Sequence, residues 1–156
     1  MTNPFAIHQL ASEQIPLMEA LLAVFGEAFG EAQTYGASRP ADACLHRLLG
    51  SEYFIALVAM ANNSVVGGIA AYELPKFEQE RSEIYIYDLA VAETHRRHGI
   101  ATALIEELQK IAAARGAYVI FVQADIGDAP AVKLYSKLGT REDVLHFDIA
   151  VPCNNS

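Results

Sequence analysis

One stretch of the chain, residues 84–116, leaves few choices of fold, because a β-type apolar run, a tight basic turn and an amphipathic run follow one another without a linker. Residues 83–91 alternate and are rich in Ile and Tyr, which predicts a strand. Helical spacing then resumes with Leu104, Ile105, Leu108, Ile111 and Ala112 and ends near Gly116. Between the two lie only residues 94–99, a tight connection. A strand that feeds directly into a helix is the frame of a sheet with helices packed on it.

The rest of the chain fits that frame. Residues 5–10 read as a first strand, and Ser12 is placed to cap a helix carrying Ile15, Met18, Leu22, Phe25 and Phe29, stopped by Gly30. Residues 40–49 predict a shorter helix with Leu45, Leu48 and Leu49 on one side, ended by Gly50. Residues 53–60 and 65–72 are β-rich runs around the polar turn Asn62-Asn63-Ser64, a hairpin signal, and residues 75–82 form a polar loop. A buried strand over 118–122 and a helix over 129–138, with Pro130 in its first turn and Gly139 as its stop, precede a last strand over 144–151. The class is α/β (α+β), a mixed sheet with packed helices. With 156 residues and 53% hydrophobic content, residues 1–156 are expected to form a single domain.

Charge and composition narrow the partners. The net charge of −8, with only 11 Lys and Arg, disfavours nucleic acid and favours a cationic ligand. No apolar run approaches the roughly 18 residues of a membrane span, and Met1-Thr2-Asn3-Pro4 is not a basic region leading into an apolar one, so a cytoplasmic protein away from membranes is expected. Cys44 and Cys153 are far apart and the histidines are scattered, so neither a disulfide framework nor a metal site is expected.

The turn Arg96-Arg97-His98-Gly99-Ile100-Ala101 has the chemistry of a phosphate cradle. Gly99 and the small Ala101 let backbone N–H groups approach an anion, and the helix that starts there supplies unsatisfied donors and a favourable dipole. Each dipole contact contributes about 0.3–1 kcal/mol, so a pyrophosphate also needs the charges of Arg96 and Arg97. Neither a P-loop nor a Rossmann glycine pattern is present.

This segment resembles motif A of the GCN5-related N-acetyltransferase (GNAT) superfamily, whose Q/R-x-x-G-x-G/A loop is matched by Arg96, Gly99 and Ala101. A second family element is matched downstream by Asp128, Ala131, Leu134, Tyr135, Lys137 and Gly139, with Asp128 standing where Asn is usual and Thr140 where Phe is usual. Stretches such as Leu74-Pro75-Lys76-Phe77-Glu78-Gln79, Arg81-Ser82-Glu83-Ile84-Tyr85-Ile86-Tyr87-Asp88-Leu89-Ala90-Val91 and His146-Phe147-Asp148-Ile149 further resemble the type I aminoglycoside 3-N-acetyltransferases, the gentamicin-modifying branch. The resemblance implies the GNAT fold, a central mixed β-sheet flanked by about four helices. It implies acetyl-CoA as cosubstrate, without a metal, and acetyl transfer to the 3-amino group of a deoxystreptamine aminoglycoside by a homodimeric resistance enzyme. Leu89, Ala90, Val91, Arg96, Arg97, His98, Gly99, Ile100, Ala101, Thr102, Asp128 and Ala131 are the implied cofactor-binding residues.

A protonated amine must lose a proton before it attacks a thioester, and Asp88, near the end of the central strand, is the expected general base. Glu83 and Tyr85 are the reserve candidates, on the opposite strand face by alternation unless a bulge intervenes. Tyr135 occupies the family's position for the acid that protonates the departing thiolate, and its hydroxyl stays protonated at neutral pH. Asp125 and Asp148, at or within strands beside this site, are expected to bind the polyamino acceptor with Asp88, whereas His95 and His98 read as solvated loop residues. Two alternatives stay open: the same fold acting on another small amine or a peptide, and a non-catalytic acyl-CoA-binding module.

Overall fold

The computed structural model describes residues 4–37 and 39–153, so Met1 to Asn3, read above for a leader, lie outside the described residues. Two compact units are distinguished, Met1–Gln123 and Ala124–Ser156. Among the described residues no helix is long and apolar enough to cross a membrane.

The first unit runs β1 (Ala6–Gln9), α1 (Ile15–Phe29), a π-helical turn (Gln33–Ala37), α2 (Asp42–Leu49), β2 (Phe54–Ala61), β3 (Ser64–Pro75) and β4 (Ser82–Val91). A 3₁₀ turn (Glu93–His95), α3 (Ile100–Arg115) and β5 (Ala117–Val122) follow. The strands lie side by side in chain order, antiparallel from β1 to β4, with β5 parallel to β4. A parallel neighbour needs a crossover, and α3 supplies it. The expected mixed sheet with flanking helices is what forms.

Register separates the two faces. Phe54, Ala56, Val58, Ala70 and Ala90 share a core with Met18, Leu21 and Phe25 of α1 and Leu45 and Leu49 of α2. The alternate residues Ile55, Leu57, Ile69, Ala71, Ile84 and Ile86 are buried on the other face, which α3 covers with Leu104 and Leu108. Fully burying such a side chain contributes about 1.5–3 kcal/mol. Because β2 is buried on both faces, its sequence is an unbroken apolar run rather than an alternating one. A Cβ at Gly68 would collide with Leu21 and the Leu57 carbonyl, so glycine there lets α1 lie directly on β3. The β2–β3 hairpin turns on Asn62 and Asn63, at φ 52° and 63°, the left-handed pair of a type I′ turn.

The second unit holds α4 (Ala129–Leu138), with irregular chain on both sides of it. Two expectations are corrected. Ser12 does not cap α1: Gln14 takes the cap position without a side-chain bond, Pro16 opens the first turn, and the Ser12 hydroxyl donates to Glu13 instead. Residues 144–151 form no strand, so Asp148 does not occupy one; period-2 alternation sorts side chains between faces, whereas a strand also needs a ladder partner.

Candidate active site

Strand β4 changes parity partway along. Ala70 and Tyr72 are two residues apart on β3 and share a face, yet their partners Asp88 and Tyr85 are three apart. Tyr87 is the extra residue of a β-bulge. Ile84 and Ile86 face α3 before it, and Asp88 turns to the α1/α2 side after it. Glu83 and Tyr85 therefore share the face of Asp88, which corrects the alternation-based expectation that they lie opposite.

On that face Asp88 enters a cleft of about 170 Å³ whose walls include Phe25, Tyr35, Phe54, Tyr72 and Tyr87. Tyr35, on the π-helical turn, donates its hydroxyl to Asp88 Oδ2 at 2.9 Å. Burial raises the Asp88 pKa; the Tyr35 hydrogen bond opposes this and the Glu31 charge adds to it, leaving the carboxyl above its ordinary range. Burial and the same hydrogen bond push the Tyr35 hydroxyl far up, so it stays a donor. Aromatic rings continue the wall: Tyr72 meets Tyr87 edge-on at 6.0 Å, Tyr87 meets Tyr85 at 5.8 Å, and Tyr85 stacks on Phe121 at 4.7 Å. A carboxylate among π faces suits an ammonium group twice over, by charge and by cation–π attraction.

The reserve residues are otherwise engaged. Glu83 Oε1 accepts from Tyr118 Oη at 2.5 Å and from Lys76 Nζ at 3.3 Å, and these partners hold its pKa below the ordinary value, Tyr118 first. The Tyr85 hydroxyl donates to Gln123 Oε1 at 3.1 Å.

Beyond Asp88 the strand runs into the basic turn. Pairing with β5 ends at Ile86–Val122, whereas pairing with β3 continues to Val91. The β5-side edge of β4 from Tyr87 onward, including Leu89, Ala90 and Val91, thus has no partner strand among the described residues. Arg96 Nε donates to the Val91 carbonyl at 3.1 Å and anchors the turn. Arg97 and Gly99 are left-handed, at φ 66° and 79°. Gly99 caps α3 without a side-chain bond, and the first intrahelical bond runs from Ala103 N to Gly99 O. The N–H groups of Ile100, Ala101 and Thr102 therefore lack intrahelical acceptors. Open space surrounds the missing Gly99 Cβ. The donors, the two arginines and the unpaired strand edge fit an extended ligand whose amide-bearing arm leads into a pyrophosphate.

The remaining expected residues belong to the second unit. Asp128 is the N-cap of α4, accepting from Ala131 N at 3.3 Å, so the residue that departs from the family pattern is used as a helix cap. Tyr135 lies midway along α4, its hydroxyl pKa raised by burial and then by the Asp128 charge. Asp125 is exposed and its carbonyl accepts from Asp128 N at 3.0 Å. Asp148 is exposed, with Oδ1 2.8 Å from His146 Nε2. Sequence reasoning missed Tyr35, whose segment has no periodicity to place it. The signal was three aromatics in one short span, since Phe25, Phe29 and Tyr35 pack ring to ring at 5.8–6.0 Å.

Comparison with known proteins agrees with this fold. The acetyltransferase (GNAT) family profile matches residues 18–140. Among solved structures, an aminoglycoside acetyltransferase from an uncultured soil metagenomic sample is 64% identical, with a TM-score of 0.94 over 97% of this chain and all of that one. A second such enzyme from an uncultured soil metagenomic sample, in complex with sisomicin, is 31% identical, with a TM-score of 0.90 over 96% of this chain and 98% of that one. Among curated proteins, an N-alpha-acetyltransferase of Saccharolobus solfataricus is 33% identical over 103 residues, 58% of this chain and 59% of that protein. The match spans little more than half the length of that relative and of the one from Sulfurisphaera tokodaii.

Proposed function

The chain belongs to the acetyltransferase (GNAT) family, and from that premise we propose that it is an acetyl-CoA-dependent N-acetyltransferase of aminoglycosides, acting in the cytoplasm on the 3-amino group of the deoxystreptamine ring and conferring resistance to gentamicin-like drugs. The observation that carries the reading is the continuity of β4: a half-buried carboxylate in an aromatic cleft, a free strand edge and an anion cradle follow one another within fifteen residues, 88–102. The acceptor class is supported by the aminoglycoside acetyltransferases among the similar structures, and the 3-amino position by the gentamicin-branch likeness of residues 74–91.

The bound cosubstrate supplies an acyl group activated as a thioester. Arg96, Arg97 and the N–H groups at the start of α3 hold its pyrophosphate, and the edge at Leu89, Ala90 and Val91 pairs with its amide-bearing arm. His98 completes the turn. Asp88 accepts a proton from the acceptor ammonium, and the freed amine attacks the thioester carbonyl. Tyr135 is assigned by family likeness as the donor to the departing thiolate, with Asp128 and Ala131 at the cosubstrate and Asp125 and Asp148 as carboxylates for further ammonium groups.

The match to N-alpha-acetyltransferases favours one competing acceptor, a peptide N-terminus. Thiol release from acetyl-CoA, followed in parallel with gentamicin, kanamycin, spermidine and a peptide, separates the readings. Turnover with gentamicin and a mass-spectrometric map of acetyl on N3 are expected. Preference for the peptide overturns the acceptor, and acetyl-CoA binding without turnover leaves only an acyl-CoA-binding module.

A further inference from the structure

We propose that Arg39 is a positioning residue for the acceptor side of the site: its guanidinium fastens the π-helical turn to α1 and so keeps the Tyr35 hydroxyl on Asp88. The proposal rests on the reading of Asp88 as the proton acceptor. Tyr35 reaches Asp88 at 2.9 Å from a turn of five residues, too short to hold its place by a ladder of its own. The turn packs chiefly on α1, and glycine permits the approach: a Cβ at Gly26 would come within 3.1 Å of the Tyr35 Cβ. On the entry side, Glu31 N donates to the Gly26 carbonyl at 2.9 Å and Tyr35 N to the Glu31 carbonyl at 3.1 Å.

The exit is held by a side chain. Arg39 N and Nε both donate to the Gly36 carbonyl, at 3.4 and 3.3 Å, and Nη1 lies 3.3 Å from Oε2 of Glu19 in the second turn of α1. The planar fork thus spans two acceptors in one geometry, which the point charge of a lysine does not reproduce. Arg39 also stands in the chain between two wall residues of the cleft, Tyr35 and Pro40. Both side chains of the ion pair are 34% exposed, so the pair adds little to stability, and what it fixes is position. Position matters more to the chemistry, since a displacement of about 1 Å can cost ~10²-fold in rate. Of the titratable groups around Asp88, Glu31 and Tyr35 come from the segment after α1, Tyr72 from β3, and Tyr85 and Tyr87 from β4. Arg39 does not act on the carboxyl directly, and its path to Asp88 runs through Tyr35.

Arg39→Gln and Glu19→Gln release the clamp from opposite ends while changing the charge in opposite directions. Carbon-13 NMR titration of the Asp88 carboxyl in the unliganded protein is expected to move to higher pH in both, the direction set by loss of the Tyr35 hydrogen bond. A direct charge effect would move the two apart, with Glu19→Gln going down. In a Tyr35→Phe background neither substitution is expected to move the titration further. With gentamicin, kcat/KM is expected to fall roughly 2- to 12-fold, the worth of one hydrogen bond, while calorimetry finds acetyl-CoA affinity unchanged. Titrations that stay put, that move in opposite directions, or that move as far without the Tyr35 hydroxyl overturn the proposal. So does a loss of acetyl-CoA affinity that matches the loss of kcat/KM. Should one variant fail to fold, the other decides. The titration needs no turnover: a shifted carboxyl with no gentamicin acetylated overturns the acceptor assignment and leaves the clamp standing.

Discussion

Asp88 sits in surroundings that disfavour its charged form, and both activity and stability carry that mark. Replacing it with Asn removes the proposed proton acceptor, so kcat/KM is expected to fall by at least ~10²-fold in the thiol-release assay. The same change is expected to raise Tm. A carboxyl whose folded pKa is raised contributes its stability below the unfolded pKa and loses it as pH rises through the folded value. Asp88→Asn should therefore gain on the parent protein at pH 7, and the gap should close at acid pH. Tyr35→Phe deletes the hydrogen bond that lowers the Asp88 pKa, so the acid limb of the kcat/KM profile is expected to move to higher pH. A limb that does not move removes Tyr35 from the proton-transfer apparatus. Asp88 was legible because strand, residue type and neighbouring turn agreed; Tyr35 was not, because its partner is 53 residues away in the chain.

At the scale of elements, what the sequence exposed was whatever depends on local pattern. The hairpin could be read because Asn-Asn tolerates two left-handed residues, and the stops of α1 and α3 because Gly30 and Gly116 sit left-handed at their ends. The bulge could not, since Tyr85 and Tyr87 continue the β alternation and the slip is defined only against β3. Residues 144–151 failed for a related reason: the pattern is present, but a ladder partner is not a property of one segment. The cradle supplies the prediction at this scale. Gly99→Ala meets no neighbouring atom, so its cost is the left-handed backbone alone, roughly 1–2 kcal/mol. Relaxing that strain turns the α3 N–H groups away from the anion, and calorimetry is expected to find weaker acetyl-CoA binding, with fold retained.

For the molecule as a whole, the acidic balance gives the proposed polycationic acceptor a favourable approach that salt screens. KM for gentamicin is expected to rise with ionic strength more steeply than KM for acetyl-CoA; equal slopes would mean that the field does not steer the drug. The fork where β4 outlasts β5 bears on thermal behaviour. A thioester whose amide-bearing arm lies along the free edge acts as a rung spanning the gap, tying the tip of one strand to the start of α3. Saturation at about 100 times Kd then stabilises the fold by about 2.7 kcal/mol, or roughly 5–10 °C in a thermal-shift experiment on a chain of this size. Pantetheine, which has the arm without the nucleotide, should reproduce part of that gain, whereas inorganic pyrophosphate would leave the gap unbridged and raise the midpoint less.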